Sequence, residues 1–240
     1  MIFVNISVIY GGTKKACTYN CVQLLLNSLK LTTPITVKEF FLEKEISNKS
    51  DRFYSCFING YFIYLNSNSL DYLTNSLDNS DLIILASPVI QCDITAELNS
   101  LLNHLFYKSI QYNTKSFMNA KMGLVMSTTA GAGLPTTINN LKKNLFFLGI
   151  HNVFTFSKTI YEMNWEDVNL KTKLKINKTI FKLSNKILNK YANSAYINMT
   201  VSNKIIPYFF EPYFKNQNIN VIPLNFKRNR ISPPRARKIH

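Results

Sequence analysis

Acidic residues are scarce in this chain: 13 Asp and Glu stand against 28 Lys and Arg in 240 residues, a formal net charge of +15. Histidine is scarcer still, with only His104, His151 and His240. So few imidazoles, so far apart, leave no credible nucleophile–base triad and no metal cluster. The four cysteines, Cys17, Cys21, Cys56 and Cys92, are scattered, and with no secretion signal they read as reduced thiols of a cytoplasmic protein. Cys17-x-x-x-Cys21 lacks a second close pair, so packing, or a thiol incidental to its loop, explains it better than a metal. No run is apolar enough to span a bilayer. The apolar N-terminus lacks the basic flank and small-residue cleavage site of a signal peptide and reads as a strand. Glycine (7) and proline (8) are few, and there are no repeats or low-complexity tracts.

What is present is a globular composition, 46% hydrophobic and 13% aromatic, long enough for one domain with room for an appendage. Asn, Lys and Ile are abundant, as an AT-biased genome would give. The charge is uneven: residues 1–150 carry 12 basic and 9 acidic groups, net +3, and residues 151–240 carry 16 and 4, net +12. That surplus suits an anionic partner, nucleic acid or a membrane surface, and equally suits a solvated basic helix.

The chain opens with an apolar, β-branched run, Phe3–Tyr10, that stops at Gly11-Gly12. The loop Thr13-Lys14-Lys15-Ala16-Cys17 follows, and a helical pattern starts at Thr18 or Tyr19 with Val22, Leu25, Leu26 and Leu29 on one face. Hydroxyl and ammonium groups ahead of a helix N-terminus, where N–H groups are free, make an anion site, and a phosphate is expected there, with an ordinary strand-to-helix turn as the alternative reading of this segment alone. The loop is neither a Walker loop nor the dinucleotide fingerprint. Pro34–Leu42 reads as a second strand. Glu43–Ser69 breaks the pattern, and Asn59-Gly60 between two aromatic runs suits a tight hairpin, a lid or a dimer contact. A short helix (Ser69–Leu77), a wholly apolar strand (Asp81–Ala86) ending at Ser87-Pro88, and a helix from Asp93 to Tyr107 come next, with Asp93, Thr95 and Glu97 as its capping region. Then follow a strand (Lys121–Ser127), the polar loop Thr128–Gly133, a helix (Pro135–Leu148) closed by Gly149, a fifth strand (Asn152–Ser157), and a long basic helix (Trp165–Tyr191).

This alternation calls for a parallel sheet covered on both faces. With five strands ordered 2-1-3-4-5, the loops Gly11–Tyr19, Ser87–Asp93 and Ser127–Gly133 meet at the carboxyl edge where strand order reverses. The first offers phosphate donors, the second the apolar ledge Pro88-Val89-Ile90, and the third glycines small enough for a ring or ribityl chain to approach. A phosphate beside a flat ring at that place points to flavin mononucleotide (FMN).

At these residues the chain resembles the flavodoxin-like NAD(P)H-dependent flavin reductases, a broad family that includes iron–sulfur flavoproteins and quinone reductases. The resemblance covers Phe3 to Phe156. In the family's Gly-Ser-Pro-Arg-Lys-x-x-Asn-Thr loop, Gly11, Lys14 and Lys15 fit, and Gly12, Thr13, Thr18 and Tyr19 depart. Asp81–Val89 with Thr95-Ala96 and Leu98 is similar to its strand, flavin-stacking loop and helix. Ile90 stands where tyrosine is usual, Cys92 where glycine is usual, and Asn103-His104 replaces Asp-Arg. Ser127–Gly133 resembles the glycine-rich flavin loop. Near Cys56 the family's iron–sulfur members carry a cysteine cluster, which one thiol cannot build.

The resemblance implies a flavodoxin-like doubly wound α/β domain, taken as residues 1–192; in the C-terminal extension, 193–240, the apolar runs Ile205–Phe210 and Val221–Leu224 are expected to pack against the domain or a second subunit, and the basic end to be mobile. The resemblance also implies FMN held by Gly11, Gly12, Thr13, Lys14, Lys15, Thr18, Tyr19, Ser87, Pro88, Val89, Ile90, Ser127, Thr128, Thr129, Ala130, Gly131 and Gly133, with NAD(P)H as electron donor. The expected function is an oxidoreductase passing electrons through flavin to free flavin, a quinone or a similar small acceptor. A homodimer is expected with it. Two other readings stand beside this one: a flavin-carrying electron-transfer protein, and a basic interaction module that has lost the cofactor.

Overall fold

The computed structural model describes residues 3–14, 16–42, 55–58, 61–64, 67–111, 121–162 and 164–193. Lys15, most of the 43–66 insertion and the whole of 194–240 therefore lie outside the described residues, and with them the expectations for the packed and mobile parts of the extension. In chain order the elements are β1 (Val4–Tyr10), α1 (Cys17–Lys30), β2 (Ile35–Leu42), β3 (Ser55–Ile58), β4 (Tyr61–Tyr64), α2 (Ser67–Asp78), β5 (Leu82–Pro88) and α3 (Ala96–Gln111). Then come β6 (Met122–Thr129), α4 (Leu134–Phe147), β7 (Asn152–Thr159) and α5 (Leu170–Asn193).

The sheet order is β4-β3-β2-β1-β5-β6-β7. Its parallel part, β2-β1-β5-β6-β7, is the expected five-stranded order 2-1-3-4-5. The insertion adds the two further strands. β3 and β4 flank Asn59-Gly60 and pair antiparallel with each other, and β3 pairs antiparallel with the end of β2. The antiparallel strand pairing expected of a hairpin is thus present among the described residues. It covers the part of β2 that needs covering: the first five residues of β2 are half-buried or exposed in alternation, while Phe40, Phe41 and Leu42, the three that face β3 in register, are buried. An apolar edge of that kind left open would invite pairing with another chain.

Strand periodicity sorts the core into two layers. Val4, Ile6, Val8 and Tyr10 of β1 and Leu82, Ile84 and Ala86 of β5 join one cluster, packed by α1 and α5 through Val22, Leu25, Leu29, Ile176, Ile180 and Ile187. Ile9, Ile83, Leu85 and Val125 point the other way, into Leu73, Leu98, Leu101, Leu141 and Leu145 of α2, α3 and α4. Burial of each such side chain contributes roughly 1.5–3 kcal/mol. The central strands are buried on both faces because a helix layer lies over each. A hydroxyl cluster interrupts the second layer: Ser7 Oγ lies 2.8 Å from Ser76 Oγ and 2.6 Å from Ser80 Oγ.

Two helix starts differ from the sequence reading by three residues or more, for local reasons. α5 starts at Leu170 rather than Trp165, because the Asn169 side chain accepts the Thr172 N–H at 2.8 Å and caps the helix there. α3 starts at Ala96, and the Asp93 carboxylate, expected in its capping region, is engaged elsewhere: Oδ1 accepts from Ile94 N (2.7 Å) and from Asn140 Nδ2 of α4 (2.6 Å). Gly149 does follow α4 as expected, at φ +95°.

Candidate functional site

The carboxyl ends of β1, β5 and β6 are neighbours, so the loops that leave them start side by side. Ladder hydrogen bonding continues past the paired strands: Gly11 N–H donates to Ala86 O (2.8 Å), Val89 N–H to Thr128 O (3.0 Å) and Ile160 N–H to Thr129 O (2.8 Å). Each loop is thereby fixed to the next before it turns away from the sheet.

In the first loop, Gly11 is buried beneath the start of α3. A Cβ on it would come 2.5 Å from Thr95 Oγ1 and 3.1 Å from Leu98 Cβ. Gly12 lies against Pro88, the end of β5, where an added Cβ would sit 2.8 Å from the ring Cδ. Thr13 and Lys14 are exposed. The N-cap of α1 is Ala16, which makes no side-chain cap bond, so nothing from the cap residue shields the first-turn N–H groups or the positive end of the helix. Thr18 is buried, and its Oγ1 lies 2.6 Å from Thr128 Oγ1 at the end of β6. Tyr19 packs on Tyr10 (5.3 Å between centroids) and Phe41 (5.9 Å), and Lys14 Nζ sits 4.8 Å over the Phe41 ring.

That aromatic cluster has a polar floor. Tyr10, 1% exposed, donates to Glu39 Oε1 at 2.7 Å, and Gln23 Nε2 donates to the same oxygen at 2.6 Å. Burial first, and then the bond to the Glu39 carboxylate, hold the Tyr10 phenol far above its ordinary pKa, so it stays a donor.

The second loop contains a tight reversal. Ile90 and Asp93 exchange N–H···O bonds of 2.9 Å in both directions, and the residues between them, Gln91 and Cys92, have φ of +50° and +62°. Two successive positive φ values are the signature of the hairpin turns that favour Asn-Gly. The position where the resembled family has glycine is thus one that calls for a left-handed backbone. Pro88 and Val89 are half-buried, and Ile90 is 51% exposed, an apolar side chain presented at the rim. Ser87 is fully buried; its Oγ donates to Pro88 O and accepts from Thr95 N.

The third loop is organised by Thr129, whose Oγ1 accepts the Gly131 N–H at 3.1 Å and donates to Ala132 O at 3.1 Å. Ala130 and Gly131 are exposed, and nothing lies within 4 Å of a Cβ placed on Gly131. Gly133 is the N-cap of α4 at φ +90°; a Cβ there would collide with the Cys92 backbone and reach Val89 Cγ1 at 2.9 Å. The second and third loops therefore touch backbone to backbone.

All the expected site residues within the described part thus gather at one edge of the sheet. Not all of them face outward. Ser87 and Ser127 are wholly buried, Thr18 and Thr128 satisfy each other, and Tyr19 belongs to the aromatic cluster. Two buried hydroxyls, Thr95 Oγ1 and Ser127 Oγ, have no hydrogen-bond partner. FMN fits this arrangement: an uncapped helix start for its phosphate, orphaned hydroxyls beneath, and an exposed apolar rim beside a small-residue loop.

A fourth segment, which the sequence reading did not place here, also reaches the edge. Asn164 forms an antiparallel bridge with Ala16, and Cys17 Sγ lies 3.5 Å from Glu162 O. Tyr161, just beyond β7, is 82% exposed. No local pattern announces a contact between residues so far apart in the chain. Burial, then Glu162 and Asp167, raise the Cys17 thiol pKa, and burial pushes Cys21 up to about 12. Neither thiol is a ready nucleophile. Among the described residues no group of His, Cys, Asp or Glu is arranged to hold a metal ion. Nor is any helix among them long and apolar enough to cross a membrane. His104 is exposed on α3, and His151 lies edge-on to Phe146 at 4.9 Å, with its pKa lowered by burial.

The family model described as NADPH-dependent FMN reductase matches residues 4–160. No curated protein matches the chain. Among solved structures, the apo form of an NADH:FMN oxidoreductase is similar with a TM-score of 0.51 and 17% identity, over 75% of this chain and 89% of that one. The Trp repressor binding protein from Bacillus subtilis has a TM-score of 0.53 and 16% identity, over 74% of this chain and 99% of its own. An FMN-dependent NADH-azoreductase from Bacillus anthracis str. Ames Ancestor, in complex with FMN, has a TM-score of 0.51 and 12% identity, over 78% and 99%. At such identities the structures attest the fold, while the family match spans well over half of the sequence. The chain belongs to the NADPH-dependent FMN reductase family.

Proposed function

We propose that this FMN-dependent oxidoreductase takes electrons from NAD(P)H and delivers them to a small diffusible acceptor, such as free flavin or a quinone, with the flavin seated where the β1–α1, β5–α3 and β6–α4 loops meet. The observation that carries this reading is the backbone-to-backbone contact of the second and third loops beside a first loop that is tied to β5 and leads into an α1 N-terminus its own cap residue leaves open. When bound, FMN supplies the hydride and electron chemistry.

The chain's residues place and shelter it. Gly12, Thr13, Lys14 and the first-turn N–H groups of α1, with Lys15, hold the phosphate. Backbone donors and the helix dipole need no particular side chain, so the departures at Thr13, Thr18 and Tyr19 leave that binding intact. Pro88, Val89 and Ile90 form the ledge for the ring, and Ala130, Gly131 and Gly133 let it approach the backbone. The Thr18–Thr128 hydroxyl pair keeps the start of α1 in register with the end of β6. We read residues 1–192 as the flavin domain and 193–240 as an extension, and the assembly as a homodimer, which sedimentation velocity measures directly.

The test is spectroscopic. Purified protein, or apoprotein titrated with FMN, is expected to show the absorbance of oxidised flavin and to bleach anaerobically with NADPH or NADH in the absence of any other protein. Failure to bleach leaves a flavin carrier without a nicotinamide site. A colourless protein that does not quench FMN fluorescence overturns the assignment.

A further inference from the structure

We propose that α5 is a docking surface for membranes rich in anionic phospholipid. Its 24 residues, Leu170–Asn193, contain seven lysines (Lys171, Lys173, Lys175, Lys178, Lys182, Lys186, Lys190) and no acidic residue. One face is committed to the protein: Ile176, Ile180 and Ile187 are buried, and the Ser184 hydroxyl lies 2.7 Å from that of Ser28 on α1. The outer surface is not simply polar. Leu170 is 73% exposed, Leu174 60% and Phe181 52%.

At 100° per residue these three side chains fall within about 40° of one another. Lys178, Lys171, Lys182 and Lys175 follow along one flank of the stripe, between about 80° and 140° from Leu170. Exposed aliphatic and aromatic side chains beside a lysine ridge are the two components of an interfacial helix: the apolar residues enter the boundary of the acyl chains and the ammonium groups meet anionic headgroups.

Charge decides among the occupants. A second copy laid on this stripe would set seven lysines against seven, with no carboxylate on α5 to offset them. The chain's own extension, residues 194–240, carries eight basic residues and one acidic, net +7, and so brings no surplus of carboxylates to these lysines. A nucleic acid would satisfy the lysines but offers no apolar phase for Leu170, Leu174 and Phe181. An anionic bilayer satisfies both.

The experiment is co-sedimentation of the full-length protein with phosphatidylcholine vesicles, with and without phosphatidylserine. Binding is expected only with the anionic lipid and weakens as salt is raised. Each of Lys178→Gln and Lys182→Gln is expected to lower the partition coefficient roughly fivefold, which corresponds to about 1 kcal/mol per lysine near such a surface. Phe181→Ser and Leu174→Ser, which leave net charge unchanged and lie outside the buried face, lower it as well without moving the thermal midpoint. Absence of binding to anionic vesicles at low salt overturns the proposal. So does binding that Phe181→Ser and Leu174→Ser leave untouched, or binding to a duplex oligonucleotide that outcompetes the vesicles.

Discussion

Replacing Gly133 by alanine tests whether the second and third loops are locked together as the geometry requires. Two costs add. The backbone at Gly133 has φ +90°, where an L side chain is strained by roughly 1–2 kcal/mol. The new methyl also lands on the Cys92 backbone and 2.9 Å from Val89 Cγ1, and neither neighbour is the free end of a flexible side chain. Forcing an extra carbon into such a contact costs about 1–3 kcal/mol. The sum, about 2–5 kcal/mol, is expected as a lower urea midpoint at unchanged m-value. Gly131→Ala is the internal control: the same substitution two residues earlier meets nothing within 4 Å and should stay within about 0.5 kcal/mol of wild type. FMN titration adds a functional readout, because Gly133→Ala must push the Val89–Cys92 turn away from the β6–α4 loop and weaken flavin binding, while Gly131→Ala leaves that turn in place. Equal stability of the two variants would refute the backbone-to-backbone closure, and with it the reasoning that assembles the site.

The converse substitution, Cys92→Gly, relieves a left-handed residue at φ +62° and should stabilise by about 0.5–1 kcal/mol after the entropy of glycine in the unfolded chain is subtracted, as urea denaturation measures. Thr18→Val leaves the buried Thr128 hydroxyl without its partner and should cost about 1–3 kcal/mol, much of it recovered in Thr18→Val/Thr128→Val, so a double-mutant cycle reads the coupling. Cys21, with a pKa raised from 9 to about 12 by burial, contributes stability that is complete below pH 9 and is lost as pH climbs from 9 toward 12; Cys21→Ala should flatten that part of the pH–stability curve. In native protein at neutral pH, alkylation followed by peptide mapping should label exposed Cys92 ahead of buried Cys17 and Cys21.

The alternation of strands and helices, and so the order of the parallel sheet, was legible because the central strands are short, apolar and β-branched, and because Gly11-Gly12, Ser87-Pro88 and Gly149 punctuate them sharply. What sequence could not supply was pairing at a distance. Asn59-Gly60 signals a turn, but nothing local says that the strands around it will extend the sheet beyond β2; that follows from Phe40, Phe41 and Leu42 needing cover. The return of Asn164 to Ala16 is silent for the same reason. The start of α5 was misplaced because Trp165 fits the apolar period of a helix, whereas the cap at Asn169 decides where the helix begins. At the site, residue types identified the loops but not the surroundings of each side chain: nothing local says that Tyr19 packs on Tyr10 and Phe41 or that Lys14 Nζ sits over the Phe41 ring.

The alternation of the sheet explains why the proposed phosphate site has to be made of backbone. At the end of β6, Thr128 faces the α1 layer, where its hydroxyl meets that of Thr18, while Ser127 faces the α3–α4 layer and is fully buried. Ser87, at the matching position of β5, is turned inward too and bonded to the residues around it. Strand hydroxyls at this edge are thus directed into the helix layers by the two-residue repeat of the strands. Among the described residues, the donors that no strand repeat turns away include the N–H groups of the Gly12–Lys14 turn and of the first turn of α1, which Ala16 leaves uncapped. Their geometry is set by the main chain, which Gly11 lets pass beneath Thr95 and Leu98 of the α3 layer. A β1–α1 loop can therefore exchange its hydroxyl and amide side chains for Gly12, Thr18 and Tyr19 and still present those main-chain donors, provided Gly11 keeps its place.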